Sequence, residues 1–510
     1  MAPTDERIPI LVGVGEVVQR DAEPGEALEP IALMERAARL ALDDAMAGRA
    51  LLERIDVVGV VDCLSWRYMN PCRRLDESLG IHPRLEIVTG VGGESPQLLV
   101  NDVARRIRRG ELRAALLTGA EAVRTRYVAH RSQAKLSWAH DESGPPPEVV
   151  LGTSLPGTSA VETTHGLVLP LYAYPLFENA LRARTGASLA AHADRLGRIL
   201  SRMTEVASEN PNAWFRTKRS AEEIVRVTPE NRMIAFPYTK YMNAIMEVDQ
   251  GAALLLTSVA EARALGIAKE RWIHVAGGGE ATEEPWFFSE RPRLDGSAAL
   301  RTAALRALAQ AGTSIDAIDA LDLYSCFPCA VEIACEELGI DPLGARPVTV
   351  TGGLPYHGGP GNNYSMHAIA RMAERLRASP GSRGLVTALG WYLTKHAAGV
   401  YASGEPAPAP EVDEIPAPKS DPVPIALRAE GAATLETYTV LYERDGAPTR
   451  GIAVGRLDDG RRFVANLPED RALLEAFVAT EAVGLRGRVR PLDGRNEFDP
   501  GGRGAARPAP

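Results

Sequence analysis

One helix-and-strand unit occurs twice in this chain, in the same order, and that repetition constrains the fold more than any other feature. Glu35-Arg-Ala-Ala-Arg-Leu-Ala-Leu42 leads through Arg54-Ile-Asp56 into an apolar run, Val57–Val61, and then Asp62-Cys63. Later, Leu300-Arg-Thr-Ala-Ala-Leu-Arg-Ala-Leu308 leads through Ser314-Ile-Asp316 into Leu321-Asp-Leu323 and then Ser325-Cys326, 263 residues beyond Cys63. A second unit follows each copy. Gly92-Gly93, a helical segment with Val103-Ala104-Arg105 and a strand from Ala114 to Thr118 return as Gly358-Gly359, Ile369-Ala370-Arg371 and Gly384–Thr387. The separation drifts from 263 to 266 to 269 residues, as changes in loop length would make it. Alternating strand and helix patterns require layered α/β packing. A unit that recurs in register packs against its copy. The first 400 residues are therefore expected to form two similar α/β halves related by a pseudo-twofold axis.

Composition limits the class. The 510 residues are 45% hydrophobic, with 57 Lys and Arg against 66 Asp and Glu, a formal charge of −9. That is enough apolar material for several cores and excludes general disorder. The acidic balance argues against a nucleic-acid partner, whose affinity rests on clustered cations. No run approaches 18 apolar residues, so no membrane span is expected. The polar start, Met1–Arg7, reads as no signal peptide. Five cysteines, Cys63, Cys72, Cys326, Cys329 and Cys335, are sparse and odd in number, which points to a reducing, cytoplasmic setting.

Composition also marks the boundaries. Residues 404–424 are Pro-rich and acidic, an extended linker. Residues 425–495 alternate as short strands with Asp-Gly turns at Asp445-Gly446 and Asp459-Gly460 and one helical insert, the pattern of a small OB-like β-barrel. Residues 496–510 read as a flexible tail.

Four segments in the α/β part carry possible chemistry. Gly92-Gly93-Glu-Ser-Pro-Gln97 is a Gly-rich turn into a helix, suited to holding a developing negative charge or simply to starting the helix. Thr351-Gly-Gly-Leu-Pro-Tyr-His-Gly-Gly-Pro-Gly-Asn-Asn-Tyr364 is a loop, with Tyr356 and His357 at its centre and Gly359 beside them. Asp322-Leu-Tyr-Ser-Cys-Phe-Pro-Cys329 places Tyr324 and Cys326 at a strand end. Its Cys-x-x-Cys lacks the further ligands a zinc site needs, so no metal is expected. Lys395 and His396 stand in a fourth segment, able to receive a phosphate or thioester or merely to be solvated. No constellation is legible among the other seven histidines, His367 included.

These segments, in this order, resemble the thiolase superfamily, and most nearly the sterol-carrier-protein-type thiolases and thiolase-like proteins with an extra C-terminal domain. Asp249-Gln-Gly-Ala-Ala253 resembles the family's Asp-Gly-Ala-Ala turn. Asn231–Lys240 is similar to its loop-domain exit, and Tyr324-Ser-Cys-Phe327 falls where that branch has His-Asp-Cys-Phe. The resemblance implies a five-layer αβαβα thiolase fold: residues 1–275 as the N-terminal half with a loop domain at about 125–235, and 276–403 as the C-terminal half. It also implies coenzyme A as carrier of an acyl-CoA substrate, and a homodimer.

The departures define the expected chemistry. Gly92 stands where the family has its nucleophilic Cys, Gly359 where it has the activating His, and Ala388-Leu389-Gly390 where it has Cys-x-Gly. A ping-pong thiolase route is closed. Three readings follow: an aldol or retro-aldol enzyme acting on 3-hydroxyacyl-CoA through Tyr324, Tyr356 and His357; an acetyl-CoA acetyltransferase-like enzyme of lipid metabolism with Cys326 as relocated nucleophile; or a non-catalytic acyl-CoA binder. In the first, Gly92, Gly93 and Gly359 would line an enolate site, and Lys395 and His396 would bind substrate.

Overall fold

A computed structural model describes residues 5–139, 145–405 and 415–501. The duplication is realised strand for strand. In the first half the order across the sheet is Leu85–Thr89, Ile55–Val60, Ala114–Ala122, Asp249–Ser258, Pro9–Val18. The second half repeats it from the second place on, as Ala320–Asp322, Arg383–Gly390, Lys395–Ala402 and Ile273–Thr282. Its outermost place is taken by irregular chain, where Val348 O accepts the Leu323 amide at 2.9 Å. The first strands of the halves meet antiparallel, Ile10 opposite His274 and Leu11 opposite Ile273, joining both into one ten-stranded sheet with Val149–Leu151 at its far edge.

The helices form the remaining layers. Ser95–Arg109 and Tyr364–Arg377 touch each other and strands of both halves, and both are buried along most of their length. Ser95–Arg109 begins with Pro96 in its first turn, where a missing amide costs nothing, and ends on Gly110 at φ 75°. Pro30–Ala45 and Ala298–Gln310 cover the outer faces. Each docks by the same device: a Cβ on Gly13 or Gly15 would overlap the carbonyls of Ala41 and Ala37, and one on Gly277 or Gly279 those of Ala307 and Ala303. Glycine on the strand and alanine on the helix let each pair of layers close to backbone contact. This is the expected five-layer thiolase architecture.

The C-terminal strands close as a barrel in the order Gly431–Tyr442, Pro448–Leu457, Arg462–Asn466, Arg495–Asp499, Arg486–Leu492 and back to the first. The helix Arg471–Ala479 lies between the third and fourth strands in sequence. The last strand reaches Asp499, four residues beyond the boundary read from the sequence; part of the linker (406–414) and the end of the tail (502–510) lie outside the described residues. The barrel is bolted to the rest by polar contacts. Asn179 Nδ2 donates to Tyr438 O (2.9 Å), Thr437 Oγ1 to Leu176 O (2.6 Å), and Leu441 pairs with Ala235 of the loop region. Among the described residues no helix is long and apolar enough to cross a membrane.

Candidate functional site

The Gly-rich turns of the two halves are stitched together. The Gly92 amide donates to Asn362 Oδ1 at 2.9 Å, Asn362 Nδ2 donates to Asp62 O at 2.9 Å, and Ser365 Oγ donates to Gly93 O at 3.0 Å. The Gly92 amide is thereby engaged.

A buried ion pair fills the space beside Gly92. Lys395 opens the strand Lys395–Ala402, and strand alternation sends its side chain and that of His396 to opposite faces. Lys395 Nζ lies 2.5 Å from Glu94 Oε1 and donates to Val91 O at 2.7 Å. A Cβ built on Gly92 would overlap the Glu94 carboxylate and lie 2.6 Å from Lys395 Nζ; a Cβ on Gly390 would also meet Glu94. The pair therefore occupies the volume into which a side chain at position 92 would project. Glu94 is 4% exposed, Lys395 3%, and Glu94 Oε2 has no hydrogen-bond partner. Burial pushes the Glu94 carboxyl up and Lys395 beside it pulls it down, the first prevailing. The Tyr324 hydroxyl lies against Gly93, at a point a Cβ there would overlap. Burial, with Cys326 and Glu94 nearby, holds that phenol well above its ordinary value, so it stays protonated.

The turn that delivers Lys395 is strained. Trp391 and Leu393 adopt φ of 56° and 51°, a region that costs non-glycine residues about 1–3 kcal/mol each and persists only where surroundings enforce it. Tyr174 Oη donates to Trp391 O (2.8 Å), while Arg291 donates to Tyr392 O (2.8 Å), Leu393 O (3.1 Å) and Thr394 Oγ1 (2.8 Å).

The other expected residues are distributed around this centre. Cys326 is near Tyr324 and Tyr174, but burial pushes its thiol up to about 12, leaving little thiolate. Tyr356 and His357 sit in the loop, as their carbonyls accept the amides of Phe215 and Trp214 at 2.8 Å each, pinning the loop to the loop region. The Tyr356 hydroxyl is buried without a partner, and the His357 ring turns to Glu16 and His367, not to Lys395. Gly359 packs near Leu354 and Ala244. His396 faces Ser297, 3.0 Å away, and Ser297 Oγ donates to Glu283. Glu94 went unread in the sequence, although it is the one charged residue between Thr89 and Asp102.

Burial depresses His396 from 6.5 to about 3. The unfolded chain then takes up this proton below about pH 6.5 and the folded chain only near pH 3, so stability falls as pH drops through that window. The loss is at most about 1.4 kcal/mol per pH unit for one group. His396→Gln is expected to flatten this acid limb in denaturant midpoints measured from pH 7 to pH 4; an unchanged limb would refute the assignment.

Two wider surface cavities lie elsewhere. One of about 710 Å³ separates residues 182–190 from the barrel, and one of about 400 Å³ is lined by His192, Arg195 and Glu332. Neither includes Glu94, Lys395 or Tyr324.

Two duplicated α/β halves with central helices, joined where their Gly-rich turns meet, define a thiolase-fold protein. Within that class the chain belongs to the SCP2-thiolase-like proteins of type 1. It is 33% identical to a monomeric SCP2-thiolase-like protein type 1 from Mycobacterium smegmatis, the match covering 98% of this chain and 100% of that one with a TM-score of 0.82. Residues 409–495 match the family model of the thiolase-like protein type 1 additional C-terminal domain. An Ltp2–ChsH2 (DUF35) aldolase shares the fold at 19% identity and TM-score 0.60, over 78% of this chain and 98% of that one. A benzoylsuccinyl-CoA thiolase subunit of Thauera aromatica is 28% identical over 202 residues, 39% of this chain and about half (49%) of that relative's length.

Proposed function

We propose that the chain makes or breaks a carbon–carbon bond next to the carbonyl of an acyl-CoA thioester without an acyl-enzyme, in the retro-aldol sense on a 3-hydroxyacyl-CoA. The observation that carries this is the buried Glu94–Lys395 pair in the volume beside Gly92, with the Tyr324 phenol across it. Glu94 Oε2, unpartnered, takes the proton of the 3-hydroxyl. The C2–C3 bond breaks, C3 leaves as an aldehyde or ketone, and the electron pair passes into the thioester as an enolate. Lys395 Nζ holds the enolate oxygen, a fixed charge aimed where charge develops. Tyr324 gives its proton to C2 and regains one from Glu94. Reagents and products balance, with no oxidant and no nucleophile.

Coenzyme A binding is part of the proposal. Arg216, Lys218 and Arg219 follow Trp214-Phe215, whose amides pair with the loop carbonyls, so a run of cations borders the site where phosphates would lie. The thiolase and aldolase relatives support an enzymatic role, and the five free thiols support a reducing cytoplasmic setting. A homodimer remains the family-level proposal, to be set against the monomeric relative by sedimentation.

The test is mass analysis of the purified chain with short 3-hydroxyacyl-CoAs. The expected products are a carbonyl compound and an acyl-CoA shortened by the same mass; absence of both across chain lengths would favour a non-catalytic binder. Cys326→Ala separates the acyltransferase reading. Cleavage is expected within about twofold of the parent, whereas a nucleophilic Cys326 would make the loss about 10³-fold or more.

A further inference from the structure

We propose that Glu16, His357 and His367 form a binding site for one divalent transition-metal ion, Zn²⁺ by ligand type, that clamps the Gly-rich loop of the second half to the first strand of the first. This departs from the metal-free expectation drawn from the cysteine spacing, and it is independent of the acyl-CoA reading.

The three side chains come from separate elements: the strand Pro9–Val18, the loop 351–363 and the helix Tyr364–Arg377. Glu16 Oε1 is 2.7 Å from His367 Nδ1 and 3.7 Å from His357 Nε2, and all three donor atoms lie within 4.8 Å of one another. Tetrahedral Zn²⁺ with bonds of about 2.0–2.1 Å sets its ligand atoms about 3.4 Å apart, so small rotations bring these donors into range. His357 Nε2 is fully buried and has no hydrogen-bond partner. Among the described residues no Lys or Arg pairs with Glu16, whose side chain is 4% exposed, so a buried carboxylate faces two imidazoles with no fixed cation to answer it. The outer contacts that orient metal ligands are in place: Asn212 Nδ2 donates to Glu16 Oε2 at 3.0 Å, and His357 Nδ1 faces Gly358 O at 3.3 Å.

A second trio shows the contrast. Glu178, His192 and Glu332 are as close, but Arg195 sits 2.5 Å from Glu332 and Tyr238 donates to Glu178 Oε2 at 2.7 Å. There a fixed cation, Arg195, stands against the carboxylates, as none among the described residues does at Glu16. At the first trio, metal binding through His367 Nδ1 would leave the ring proton on Nε2, which has no hydrogen-bond partner. The ion would stiffen the wall of the reaction centre, because the rings of His357 and Tyr324 flank Tyr364 at 5.8 and 5.6 Å.

The test uses the full chain without a histidine tag, stripped by chelator and titrated with Co²⁺ and then Zn²⁺. One equivalent is expected, with visible Co²⁺ bands displaced by Zn²⁺ and a melting temperature raised by Zn²⁺. His357→Gln and His367→Gln, made separately so that one misfolded variant leaves the other to be read, are each expected to weaken binding about 100-fold or more, beyond what loss of an outer-shell contact does. No stoichiometric binding, or a Co²⁺ spectrum unchanged in the folded variant, would overturn the proposal.

Discussion

Glu94→Gln is expected to lower kcat for carbon–carbon cleavage by about 10³–10⁴-fold, the upper range for losing a general base. The amide keeps the shape and the contact to Lys395 but cannot take the hydroxyl proton. Lys395→Met should cost about 10²–10³-fold, as for one donor lost from a preformed anion site. The two effects should not add, because each variant leaves the other charge buried without its partner. Steady-state kinetics on the substrate found by mass analysis decide this. A Glu94→Gln enzyme within tenfold of the parent would remove the carboxylate from the mechanism. Gly92→Cys gives a complementary result: the thiol must compete with the ion pair for the same space, so thiolytic activity should not appear.

Arg462→Met is expected to destabilise the fold by about 3–5 kcal/mol, the cost of removing one partner from a buried ionic network. The Arg462 guanidinium, 1% exposed, donates to Ser289 O at 2.9 Å and Arg291 O at 2.5 Å, and pairs with Glu436 at 2.6 Å. It is the barrel's grip on the second half. Arg291 in turn holds the strained turn before Lys395. The variant should therefore lose cleavage activity and begin to unfold at lower denaturant, with the barrel released first in limited proteolysis. A shift below about 1 kcal/mol, the range of an exposed pair, would show the barrel to be a passive appendage.

Some of this was legible in the residues. The duplicated segments predicted the two halves because a helix–strand unit carries its own periodicity wherever it sits. The barrel was legible for a similar reason, since Asp-Gly turns between alternating strands specify hairpins locally. Tyr324 was legible as a candidate from its place at a strand end and Lys395 from a segment able to receive a phosphate or thioester; in the structure the two side chains lie beside Gly93 and Gly92. Glu94 was not, since an acidic residue in a helix-start turn is ordinary until a lysine 301 positions later is seen to reach it. The Gly-rich loop points to His357 as a site residue, but which way a loop side chain turns depends on what packs behind it, here Glu16 and His367.

By itself the sequence determined the architecture and the loss of the family's nucleophile, because periodicity and residue identity are local and a missing side chain stays missing in any fold. The tertiary structure decided what fills the space beside Gly92. Burial and electrostatic pairing depend on atoms brought together across hundreds of residues: Glu94 with Lys395, Glu16 with His357 and His367, and Arg462 with the carbonyls of another domain.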